Sequence, residues 1–133
     1  MSRITRSVRR LLKSEDGSAT FEAVLWLPVF TFVLALVVDT ALIYSSQARA
    51  LRVVQDANRM MALGRFANVG QAEDFIRTSL SPMSARAIVQ TRIVNGVIIS
   101  RVELPAADLT ATKMLSGFSS LRVGVSAQHV SEV

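Results

Sequence analysis

Gly17-Ser18-Ala19-Thr20-Phe21-Glu22-Ala23-Val24-Leu25-Trp26-Leu27-Pro28-Val29-Phe30-Thr31-Phe32-Val33-Leu34-Ala35-Leu36-Val37-Val38 decides how this chain is built. Ahead of it stand Arg3, Arg6, Arg9, Arg10 and Lys13. Within it the run after Glu22 carries no charge before Asp39. A run of about 20 apolar residues, rising 1.5 Å each as a helix, crosses a bilayer, and residues 23–44 meet that length. Glu22 is the difficulty, since an acidic side chain costs roughly 2.5–3.5 kcal/mol at mid-membrane on insertion scales. Cleavage after Gly17 would compensate it by creating an amino terminus at Ser18, four residues away.

Working outward, the first 17 residues hold five basic and two acidic residues, leaving +3 of the chain's net +5. The other 116 residues hold ten basic and eight acidic residues. The basic excess is therefore concentrated in a leader and reads as a positive-inside orientation signal. No basic stripe with interleaved aromatics follows, so nucleic acid is not an expected partner. With no cysteine in 133 residues, a disulfide framework, a thiolate metal site and a thiol nucleophile are all excluded. The length fits one small domain plus an anchor.

The stretch from Gly17 to Pro28 resembles the opening of the TadE/TadF-like pseudopilins of tight-adherence (Tad, Flp-type) pilus systems. That family shows Gly, a few small residues, Glu, an apolar stretch and then Pro. The resemblance covers about residues 15–65. Ala23 departs from it, because an aromatic residue often follows the Glu, whereas here Phe21 precedes it. The wider pattern is similar to the processing signature of type IV prepilins. The resemblance implies an inner-membrane prepilin with its N-terminus cytoplasmic and its C-terminus periplasmic. An aspartic prepilin peptidase would cut it after Gly17, making Ser18 the first residue and Glu22 the partner of a terminal ammonium. The implied partners are that peptidase, other pilins or pseudopilins, the inner-membrane assembly platform and the lipid bilayer. The implied role is in starting or priming a pilus for adhesion and biofilm formation, within the fibre or as an accessory. No cofactor and no enzymatic activity are implied.

Other targeting readings compete. Ala48-Arg49-Ala50 imitates a secretory cleavage site, but the apolar core is longer than the usual 7–15 residues and the site lies well past its end. Arg9-Arg10 faintly resembles a twin-arginine signal. An uncleaved single-pass protein with a periplasmic interaction head explains the leader and the apolar run, but not the spacing of Gly17 and Glu22. A type II secretion pseudopilin shares the cleavage logic.

Pro28 removes one backbone donor and is expected either to kink or locally melt the helix or to be simply tolerated, as proline is in membrane helices. Asp39 is a second intramembrane acid near the far interface, either solvated there or paired with another subunit, and Tyr44 suits the same interface. The division expected is leader 1–17, membrane and assembly helix 18–44, then a helix continuation and head over 45–133.

The fold expected is α+β, a long N-terminal helix extending into a small head with an antiparallel sheet, as in pilins. No Gly or Pro interrupts residues 45–63, where Leu51, Val54, Ala57 and Met61 recur at helical spacing opposite Arg49, Arg52, Asp56 and Arg59. The spacings Arg52–Asp56 and Asp56–Arg59 suit ion pairs, and Gly64 suits a C-cap. Residues 71–80 predict a short helix with Glu73 and Asp74 in its first turn. Residues 86–94 and 97–104 predict strands joined by Asn95-Gly96 as a type I′ turn. That turn places Ile93 opposite Ile98, Thr91 opposite Ser100, Val89 opposite Val102 and Ala87 opposite Leu104. The other face pairs Gln90 with Arg101 and Ile88 with Glu103. Pro105 ends the second strand, a helix is expected from Asp108 to Ser116 closed by Gly117, and a last strand puts Leu121, Val123, Val125 and Ala127 inward. His129, the only histidine, has no metal-ligand cluster beside it, so no catalytic residue and no metal site are expected.

Overall fold

The computed structural model describes residues 16–113 and 120–131. Helix α1 runs Asp16–Ala62, helix α2 Val69–Leu80, strands β1 Ile88–Val94 and β2 Val97–Pro105, a 3₁₀ turn Ala106–Asp108, and strand β3 Arg122–Val130. The fold is α+β, as the sequence predicts. The chain divides into two compact units, with the division after Ala35 inside α1.

In the second unit the sheet order is β1-β2-β3, antiparallel throughout. Asn95 and Gly96 both have positive φ, 50° and 76°, which is what a type I′ turn demands of its two central residues. The turn fixes the register, and the pairs Ile93–Ile98, Thr91–Ser100, Val89–Val102, Gln90–Arg101 and Ile88–Glu103 form as predicted. Ala87 lies outside the ladder, because β1 starts at Ile88. β3 pairs Val125 with Val102 and Val123 with Leu104. Leu121 precedes the strand and is exposed.

One face of the sheet is covered by the C-terminal part of α1 and by α2. The core joins Ala50, Val54 and Ala57 of α1, Ile76 and Leu80 of α2, Val89, Val102, Leu104 and Val125 of the strands, and Leu109. The buried stripe of α1 differs slightly from the expected one. Ala50, Val54, Ala57 and Ala62 are the buried positions, while Leu51 and Met61 are half-buried. Small residues at the closest approach let helix and sheet backbones come together, and larger ones fit at the sides. The pairs Arg52–Asp56 and Asp56–Arg59 do not close. The ion pairs among the described residues are Arg77 with Glu73 and Asp74, Arg86 with Asp108, and Arg101 with Glu103.

α1 ends as Gly64 allows. Gly64 has φ 70°, its N–H donates to the Met61 carbonyl at 3.0 Å, and the Arg65 N–H donates to Met60 at 2.9 Å. These are the two bonds of a Schellman motif. α2 starts two residues earlier than predicted, because Asn68 caps it by accepting from the Gln71 N–H at 2.9 Å. The Gln71 side chain in turn accepts from the Ala67 N–H. Glu73 and Asp74 therefore fall after the first turn.

The helix expected from Asp108 to Ser116 is corrected. Asp108 closes the 3₁₀ turn and residues 109–113 are not helical. The Ser84 hydroxyl donates to Asp108, and Arg86 pairs with both carboxylate oxygens. That clamp holds Asp108 in the turn, where it cannot start a helix. The rest of that expected helix, Met114 to Ser116, and its closing Gly117 lie outside the described residues.

Candidate functional site

The candidate site is the first half of α1 with its two acidic boundaries, Glu22 and Asp39. Asp16, Gly17 and Ser18 form the first residues of the helix. Glu22 is exposed on the next turn.

From Phe21 to Val38 the helix presents large apolar side chains on every side. Phe21 is 75% exposed, Leu25 64%, Phe30 63% and Leu34 64%. These residues lie on different faces, so no single stripe is reserved for the chain's own core. A helix that is apolar all round is a buried one, in a membrane or among other helices. Trp26 and Phe30 stack one turn apart with ring centroids at 6.2 Å. The hydroxyls of this segment are satisfied within the helix: Thr31 donates to the Leu27 carbonyl at 2.9 Å and Thr40 to Leu36 at 2.7 Å. Local satisfaction of that kind suits a surrounding without water. The helix continues through Pro28 without interruption, so Pro28 does not melt it. By length and composition, the helix over Ala19–Ala62 is long and apolar enough to cross a membrane.

Asp39 has partners within the chain that the sequence reading did not show. Read from the sequence as an intramembrane acid, solvated or paired with another subunit, it is fully buried within the second unit. One carboxylate oxygen accepts from the backbone N–H groups of Ala111 and Thr112, both at 3.0 Å, and the other accepts from the Thr112 hydroxyl at 2.5 Å. A carboxylate with three donors is a strong anchor, because hydrogen bonds to a charged group are worth about twice neutral ones. Asp39 therefore fixes the loop after the 3₁₀ turn onto the helix. It takes part in the head and marks where the apolar segment stops. Tyr44, expected at an outer interface, is exposed one turn beyond it.

The second half of α1 carries a feature with no sequence signal. Asn58 is buried against the sheet and donates to the Ala127 carbonyl at 3.1 Å. The buried Ser100 hydroxyl donates to Asn58, and Ser100 shares a further bond with Thr91 at 2.9 Å. The Thr91 N–H donates to Glu73 of α2 at 2.7 Å. One polar chain thus ties both helices and all three strands together. Each member has its partner, the condition under which a buried polar network specifies a packing.

The family model described as TadE-like protein matches residues 17–59. Over that stretch the chain is similar to the TadE-like family. The match covers about a third of the chain. It starts at Gly17 and ends one residue past Asn58. The TadE-like segment therefore takes in Glu22, Pro28, Asp39 and the core-facing stripe of α1, and stops before the sheet. No curated protein and no solved structure matches the chain significantly.

Proposed function

We propose that this chain is a minor pseudopilin of a Tad-type pilus system, made as an inner-membrane precursor and processed by a prepilin peptidase after Gly17. The observation that carries the reading is one continuous helix whose TadE-like part begins at Gly17. Its first half is apolar on every face, and its second half completes the core of a head.

The mechanism follows from charge and solvation. Before cleavage the basic leader holds the N-terminus on the cytoplasmic side. Cleavage removes the leader's charge and leaves an ammonium at Ser18, one helical turn from Glu22. Glu22 neutralises that terminus or a neighbour's. A neutralised helix end leaves lipid more readily and bundles with other pilin helices through its large side chains. The head remains outside the membrane. In this reading the chain is the substrate of the peptidase and performs no reaction itself; its partners are the peptidase, the other pilins and the assembly platform.

The test is the intact mass and N-terminal sequence of the protein from native membranes, with and without the host's prepilin peptidase. A start at Ser18 that depends on the peptidase is the expected result. A chain that keeps Arg3 to Lys13 under both conditions would make it an ordinary signal-anchored membrane protein.

A further inference from the structure

We propose that the outer edge of β3 is a strand-addition site, which takes up an extended segment of a different chain alongside Gly124, Ser126 and Gln128. The sheet has two edges, and they are treated differently. The β1 edge is occupied: α2 packs beside it, and Glu73 accepts the outward N–H of Thr91 at 2.7 Å. The β3 edge has no such cover among the described residues.

The register shows which groups are left over. Ala106 donates to the Leu121 carbonyl and Ser131 to the Gly96 carbonyl. Both bonds join an even-numbered residue on the β2 side to an odd-numbered residue on the β3 side. In an antiparallel ladder this alternation persists along the strand. Val123, Val125, Ala127 and His129 therefore face β2, opposite Leu104, Val102, Ser100 and Ile98. The N–H and C=O groups of Gly124, Ser126 and Gln128 point away from the sheet, and no described residue bonds to them. Sheet edges are ordinarily protected by proline, lysine, a bulge or a covering element. β3 contains no proline and no lysine, and its one charged residue, Arg122, is at its start.

The chemistry of the edge selects its partner. A row of alternating donors and acceptors at strand spacing is matched by another extended backbone. A groove lies beside the C-terminal end of this edge, lined by Gln55, Asp56, Asn58 and Arg59 of α1 and by Ala127, Gln128 and His129 of β3. Alternate side chains of an added strand enter this groove. Its walls carry Asp56, Arg59, His129 and the amides of Gln55, Asn58 and Gln128, so it offers hydrogen bonds to hydroxyl or amide side chains and none to aliphatic ones. That argues against a second copy of β3, whose residues on the helix side are Val123, Val125, Ala127 and His129. The occupant is a polar, strand-forming segment of another chain. On the outer face, an added Cβ at Gly124 would meet nothing within 4 Å, so bulk is accepted there.

The experiment uses the full chain in native host membranes, with the photoreactive residue p-benzoylphenylalanine at position 124, 126 or 128, and at position 90 on β1 as the control. The expected result is adducts from all three β3 positions to one segment of one other protein. Their attachment points should advance by two residues per step along that segment, the repeat of paired strands. Position 90 should give no such series. Ser126→Pro removes an outward N–H without removing a bond to β2 and should lower the adduct yield from position 128 about tenfold. Retained amide protection at Val125 and Ala127 would show that the sheet is intact. Scattered attachment points, lipid adducts alone, no adducts, or a series on β3 of a second copy would each overturn the proposal. The stepping pattern decides the matter even if the proline variant does not fold.

Discussion

The two halves of α1 are both apolar helix, yet they solve the burial problem in opposite ways. The half before Asp39 is covered with Phe, Leu, Trp and Val on all faces. The half after Ile43 buries a narrow stripe of Ala50, Val54, Ala57 and Asn58, and turns Arg49, Arg52 and Arg59 outward. The first half needs a surrounding that the chain does not supply, whereas the second has its surrounding folded onto it. Hydrophobicity alone does not separate an anchor from a core helix; the distribution of side-chain size and charge around the axis does.

The comparison is broken most completely at Gly17. Gly17→Leu is expected to abolish the mature form, because a peptidase must approach the backbone closely there, and to leave head stability unchanged. Appearance of a Ser18 terminus in that variant, seen by N-terminal sequencing, would remove the proposed role. Next in size is Glu22→Ala, for which cleavage continues but pilus assembly is strongly impaired. Normal piliation by electron microscopy would show that the carboxylate is not the partner of the new terminus.

A matched pair sharpens the contrast. Ile76→Ala removes a fully buried side chain and should destabilise the head by about 2–5 kcal/mol. Leu25→Ala, in the uncovered half, should change it by less than about 0.5 kcal/mol. Thermal unfolding of the full chain in detergent, followed by circular dichroism, compares the two. Equal effects would mean that the halves are not independent in stability.

Asp39→Ala acts at the boundary. It strips three bonds to a charged acceptor, each of a kind worth about 1.5–3 kcal/mol, mostly as local opening. Amide exchange at Ala111 and Thr112 should speed up about tenfold or more, with a smaller change in global unfolding. Unchanged exchange there would show that Asp39 does not hold the loop.

The smallest effect is at Asp108. Its carboxyl is held below the ordinary value of 3.8, first by hydrogen bonding from Arg86 and then from Ser84, while Arg86 is raised by the same pairing. For a depressed carboxylate the added stability is complete above the unfolded-state value and is lost as pH falls through the folded-state value. Because Arg86 is largely exposed, solvent screens the pair and the gain is modest. Asp108→Asn should flatten the loss of head stability below about pH 4, the ordinary carboxylate range. An unaltered acid profile in unfolding experiments would exclude the pair as its source.

Much of this was legible in the residues because it depends on neighbours in sequence. Asn95-Gly96 sets a hairpin and thereby every pair of β1 with β2. Gly64 ends α1 through bonds only three and five residues long. Features that depend on distant residues were not legible. Asp39 meets its partners 72 and 73 residues later, and nothing near it distinguishes an acid in lipid from one in a head. Glu73 reads as a helix-start acid until Asn68 is seen to cap two residues earlier and Thr91 is seen to occupy its side chain. Asn58 lies in an ordinary amphipathic pattern, and its role exists only once Ser100 is placed beneath it. Gly17 and Glu22 enter the proposed processing site through a family resemblance that rests on local spacing.

The seating of Asp39 in the head also shortens the lipid-compatible stretch. Counted from Glu22 to Asp39, the uncharged run is 16 residues, about 24 Å of helix, against about 30 Å of hydrocarbon in an ordinary bilayer. Such a mismatch thins the membrane around the helix or draws polar groups into its margin, at a cost of fractions of a kcal/mol for each ångström. A helix that fits its bilayer poorly is held there less firmly. On the proposed reading, transfer into a protein fibre, where no fixed thickness is imposed, relieves that mismatch.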